Sequence, residues 1–91
     1  MALQRQIRIK KDGNTVTFDP SELDAKTGDQ IFWTNNDDEA HWPGMPDDDT
    51  FFMPNQIAPG SSSSIFAPGL AETLNYVCSI HPDETGTIKV T

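Results

Sequence analysis

An all-β sandwich or barrel of about seven short strands is the fold class this sequence predicts, and three observations predict it. Apolar and polar residues alternate in several short runs, turn residues separate the runs at regular spacing, and no helical pattern outlasts a single turn. The 6 glycines and 7 prolines among 91 residues suit strands joined by turns better than long helices. A chain of this length buries one core and not two, so residues 1–91 are read as one domain.

Leu3 to Lys10 sets Leu3, Ile7 and Ile9 against Gln6, Arg8 and Lys10, the alternation of a half-buried strand. Asp12-Gly13-Asn14 marks a turn and Thr15 to Phe18 the returning strand of a hairpin. Asp19-Pro20-Ser21 is placed to cap one helical turn through Leu23, ahead of a turn at Lys26-Thr27-Gly28-Asp29. Gln30 to Thr34 is β-branched and aromatic, with Ile31 and Trp33 on one face and Phe32 and Thr34 on the other.

From His41 to Gly60 four prolines (Pro43, Pro46, Pro54, Pro59) predict a mostly irregular segment with a short strand near Phe51 to Met53. Ser61 to Ser64 has the composition of a linker. The residues beyond it are too few to fold alone, so it is read as the entrance to a strand at Ile65-Phe66-Ala67. Pro68-Gly69 turns the chain, Leu74, Tyr76 and Cys78 share one side of the next strand, and Thr87 to Thr91 closes the domain.

A net charge of -8 argues against nucleic acid as a partner, since that binding depends on Lys and Arg neutralising phosphates. Two acidic clusters, Asp37-Asp38-Glu39 and Asp47-Asp48-Asp49, flank His41. They read either as a solvated loop or as a docking surface for a basic partner. No segment approaches the ~20 apolar residues that span a bilayer. The chain opens without a charged stretch followed by an apolar one, so a secretory signal is read as absent or removed.

Two histidines and one cysteine are present, and two of these three residues fall within Cys78-Ser79-Ile80-His81. Structural zinc prefers four Cys or His ligands, one more than the chain offers. Two imidazoles and a thiolate, with a weak or variable axial group, are instead the environment of a type 1 copper site, so His41, Cys78 and His81 are candidate ligands of one copper ion. Cys78 ends a strand and His81 lies on the turn after it, while His41 follows the Trp33 strand and can approach from a neighbouring loop. Nucleophilic catalysis by Cys78 with a histidine base is the competing reading, weakened by the position of Cys78 at the end of a buried strand.

The segment Tyr76-Val77-Cys78-Ser79-Ile80-His81-Pro82-Asp83-Glu84-Thr85-Gly86 resembles the ligand loop of the plastocyanin- and amicyanin-like cupredoxins. Phe18-Asp19-Pro20, Gly28-Asp29, Trp33 and Asn35-Asn36 before His41 are similar to that family as well. The resemblance implies a Greek-key sandwich of seven to eight strands, a one-electron carrier rather than an enzyme, redox protein partners, a monomer, and a periplasmic or extracellular location. Copper oxidases of this class need further histidines, and a two-cysteine binuclear site needs a second Cys. The chain has neither.

Two positions depart from the pattern. Where the family carries an axial Met, this chain has Glu84, a hard anionic donor that prefers Cu(II) and lowers the potential if it binds. The other placement for Glu84 is facing solvent, with copper three-coordinate or taking water or a backbone oxygen; Met45 and Met53 do not occupy the family's slot. The second departure is Trp42, where the family often has an Asn whose side chain ties the two ligand loops together; with Trp there, the source of that tie is open. A lowered potential also keeps a second function in view, copper binding or delivery without electron transfer.

Overall fold

The structure is a computed structural model that describes residues 3–91. The described residues hold seven strands and no helix: β1 (Gln4–Asp12), β2 (Thr15–Asp19), β3 (Glu22–Ala25), β4 (Gln30–Asn35), β5 (Pro43–Gly44), β6 (Thr73–Cys78) and β7 (Thr85–Val90). They form two sheets, ordered β2-β1-β4 and β3-β7-β6-β5. β1 pairs with β4 and β3 with β7 in parallel, while β1–β2, β5–β6 and β6–β7 are antiparallel. The parallel pairs arise because the chain crosses between the sheets after β2 and again after β3.

Period-2 alternation sets the core. Ile7 and Ile9, Ile31 and Trp33, Leu74, Tyr76 and Cys78, and Ile88 and Val90 all point inward and are buried. Leu3, grouped with Ile7 and Ile9 by its place in the pattern, is instead exposed. The two-residue loop of the β1–β2 hairpin puts Gly13 at φ +65° in its first central position, and Gly28 at φ +88° closes the turn before β4. Both are conformations a side chain would strain.

Three local expectations are corrected. Residues 22–25 form strand β3 rather than a helical turn, because Leu23 and Ala25 reach the core only by pairing with Ile88 and Val90. No strand forms at Phe51–Met53; the chain bends there, and Phe52 and Met53 are buried against Trp33 and its neighbours. Around Ser61–Phe66 there are isolated bridges, Ser62 to Thr34 and Phe66 to Ile31, that cover the open edge of β4. Residues 61–66 therefore run along β4 and are hydrogen-bonded to it.

Candidate metal centre

Four side chains converge at one end of the sandwich: His41, Cys78, His81 and Glu84 each place a donor atom within 4.8 Å of the others. Cys78 ends β6 and faces the core. Beyond it the chain makes two consecutive four-residue turns that share His81, with His81 N–H donating to the Cys78 carbonyl and Glu84 N–H to the His81 carbonyl. The Cys78 N–H then donates to the Glu84 carbonyl at 2.9 Å and closes the loop. Residues spaced by three therefore sit at successive corners, which is why positions 78, 81 and 84 meet.

His41 is held from the other side. It bridges to Ile57 through two backbone hydrogen bonds, while the buried Asn35 amide donates to the carbonyls of Glu39 and Ile57 and accepts from Asp37 N–H. Directly after His41, Pro43–Gly44 pairs with Val77–Cys78, so the two ligand-bearing loops are joined by sheet hydrogen bonding.

The tie at position 42 comes from backbone, not from a side chain as in the family pattern. Trp42 N–H points to Cys78 Sγ at 3.4 Å, and Ser79 N–H donates to the Trp42 carbonyl at 2.7 Å. The Trp42 indole N–H donates to the Met53 carbonyl. Met53 is buried in the core, and Met45 lines a cleft beside Cys78 and Pro82.

Distances within the cluster suit one ion. Cys78 Sγ lies 3.9 Å from His41 Nδ1 and 3.7 Å from His81 Nδ1, and Glu84 Oε1 lies 3.0 Å from His41 Nδ1 and 3.6 Å from His81 Nδ1. Donors about 3–4 Å apart are what bonds of roughly 2.0–2.3 Å to a shared first-row metal produce. His41 Nδ1 and Glu84 Oε1 are not aligned for a hydrogen bond despite their separation, and Oε1 is buried with no hydrogen-bond partner among the described residues. A proton on Nδ1 would leave that oxygen unsatisfied. A cation among the four donors satisfies it, so the residues present fit a metal. Glu84 is thus turned into the cluster, not toward solvent.

Sequence reasoning missed Asp37. It sits in an acidic run read as a solvated loop or docking surface, yet its side chain is buried, and Oδ2 lies 2.7 Å from His41 Nε2 while Oδ1 accepts the Asp38 N–H. Burial pushes its carboxyl up. The His41 hydrogen bond and those from Asp38 outweigh that, and the group is held below the ordinary carboxylate value. The Cys78 thiol goes the other way: burial raises it, opposed by the N–H groups of Trp42, Ile80 and His81 and reinforced by the charge of Glu84. Burial also separates the two imidazoles, since His41 is fully buried while the His81 side chain is about a third exposed.

No family model matches the chain, and no curated protein does. Solved structures do. Amicyanin from Paracoccus versutus superposes with a TM-score of 0.75 at 21% identity, over 99% of this chain and 81% of that one. An oxidised amicyanin mutant superposes at 0.79 and 20% identity, and the reduced Cu(I) form of another at 0.77 and 20%, each over 99% of this chain and 82% of its own. The fold is that of amicyanin. The expected all-β, cupredoxin-like sandwich is therefore what the chain adopts.

Proposed function

We propose that His41, Cys78, His81 and Glu84 hold a single copper ion and that the protein is a one-electron carrier. The observation that carries this reading is the convergence of two imidazole nitrogens and one sulfur at the end of a sandwich shared with amicyanins, some of which are described in their Cu(I) form. Copper, when bound, supplies reversible one-electron exchange between Cu(I) and Cu(II). The chain supplies the rest. Sheet pairing through Pro43–Gly44 and the closed 78–84 loop hold the donors in place as charge changes, and the exposed edge of His81 gives a route from the buried site to a partner's surface.

The partners fitting this reading are redox proteins with a basic docking surface. Asp47 and Asp49 sit in an exposed stretch within a chain of net charge -8. Neutralising Asp47, Asp48 and Asp49 should slow association with a cationic redox partner at low salt and leave the copper spectrum unchanged; equal on-rates at low and high salt count against an acidic docking face.

The central test is copper titration followed through the thiolate charge-transfer band, with zinc as competitor. Wild type should develop an intense visible band with one equivalent of Cu(II), and Cys78→Ala should develop none. A protein that takes zinc and shows no such band is not a copper carrier. Glu84 favours one other reading, copper delivery without electron transfer, because a carboxylate lowers the potential. Electron self-exchange separates the two: a carrier exchanges rapidly, and a delivery protein does not.

A further inference from the structure

Asp37 and His41 form a buried pair that the proposed electron transfer does not itself require. The His41 side chain is fully buried and that of Asp37 nearly so, with 2.7 Å between Oδ2 and Nε2. The carboxylate has no freedom to serve His41 differently, because its other oxygen accepts the Asp38 N–H at 2.7 Å and its own backbone N–H is fixed by the Asn35 side chain at 2.9 Å. An ionised carboxylate only accepts hydrogen bonds, so the imidazole proton must lie on Nε2. The lone pair of Nδ1 then faces Cys78, His81 and Glu84.

Building on the reading of this cluster as a copper centre, we propose that Asp37 is its positioning residue: it fixes the His41 tautomer that can bind metal through Nδ1 and raises the basicity of that nitrogen. A ligating imidazole whose second N–H is given to a carboxylate is a stronger donor, and loss of such a partner costs about 10–100-fold in metal affinity. The same electron donation favours the more highly charged ion, so Asp37 acts in the same direction as Glu84.

Asn at position 37 makes the isosteric variant. It keeps the shape of Asp but has one acceptor and one donor, where Asp38 N–H and His41 Nε2–H both need acceptors. Either the Asp38 bond is lost or the amide donates to Nε2, which forces the proton onto Nδ1 and blocks the metal.

The test uses the full-length protein loaded with Zn(II), a diamagnetic probe, and reads the His41 ring by long-range nitrogen–proton NMR beside competition titrations with Zn(II) and Cu(II). Wild type should show a protected Nε2–H and an unprotonated Nδ1. Asp37→Ala, which removes the carboxylate outright, should bind both metals about 10–100-fold more weakly, and Asp37→Asn should bind more weakly still when its amide donates to Nε2. In copper-loaded samples Asp37→Ala should raise the reduction potential. An Nε2 without a proton in loaded wild type overturns the proposal even if both variants fail to fold, and so do unchanged affinities and potential in a folded Asp37→Ala, which leaves His41 Nε2–H no acceptor at position 37. The zinc measurements judge Asp37 even if copper gives no thiolate band, so failure of the copper reading and failure of this one are told apart.

Discussion

Trp42 and Cys78, 36 positions apart, are joined by a hydrogen bond from the Trp42 backbone N–H to the Cys78 sulfur at 3.4 Å. Hydrogen bonding around the cysteine sulfur tunes the potential of a thiolate–copper site. Since this bond and the one from Ser79 N–H both use the Trp42 backbone, the side chain is dispensable for the tie. Trp42→Asn should keep the visible band and shift the potential little. It should lose roughly 1–3 kcal/mol of stability, from the indole's contact with the core and its bond to Met53. Denaturant unfolding beside a redox titration checks both, and a large potential shift with intact folding would assign the tie to the side chain.

The parts of the site legible in the sequence were those encoded by short spacing. Cys78, His81 and Glu84 recur at intervals of three because the loop makes two successive four-residue turns that share His81, a local property. Asp37 was illegible as a partner because Asp37, Asp38 and Glu39 look alike in one dimension, and only Asn35, which caps the loop from within the core, turns Asp37 inward. The one available signal was its place four residues before His41, which has meaning only once the loop conformation is known. The fold was legible from alternation, while β3 was misread for the converse reason. Asp19-Pro20-Ser21 is a good local cap, but pairing of Leu23 and Ala25 with β7 outweighs local propensity.

Tyr76 and Gly86 face each other across β6 and β7, and the phenol ring lies where a side chain on Gly86 would project. The ring also packs edge-on against Phe18, Trp33 and Phe52, so it cannot move aside without disturbing the core. Gly86→Ala should destabilise the fold by about 1–3 kcal/mol through overpacking. Because Tyr76 is two residues before Cys78 on the same face, metal affinity should fall as well. Thermal unfolding of the metal-free and loaded forms measures the two effects, and wild-type stability would show that the ring has another place to go.

The raised thiol of Cys78 makes metal binding a proton-releasing reaction. Burial holds the sulfur protonated at neutral pH in the metal-free protein, and a metal binds the thiolate. One proton from this group should therefore leave on binding, and its contribution to affinity should rise about tenfold per pH unit up to the thiol's raised value. For the metal-free fold the sign is opposite. The folded state holds its proton where the unfolded chain has begun to lose it, so stability from this group is present below about pH 8.5 and falls above it. Proton release into a weakly buffered indicator on adding Zn(II), compared between wild type and Cys78→Ala, gives the count. Equal release from both would place the proton elsewhere.

Glu84 decides how this site differs from one with a thioether in the same place. Its Oε1 is buried among His41, His81 and Cys78 and has no hydrogen-bond partner among the described residues, so in the loaded protein it is positioned to act as a fourth donor. A carboxylate is hard and anionic, and it stabilises Cu(II) more than Cu(I). Thiolate donation weakens as a second anion shares the metal's charge, so the oxidised protein should be green or red instead of blue. Glu84→Met replaces that donor with a soft neutral one of similar length. It should restore a blue spectrum and raise the potential, each ~59 mV being a tenfold change in the one-electron equilibrium. Glu84→Gln keeps the shape and one oxygen but removes the charge, and it should fall between the two. If all three proteins agreed in colour and potential, Glu84 would lie beside the metal without binding it, and the low-potential reading would fail while the thiolate and two histidines stood.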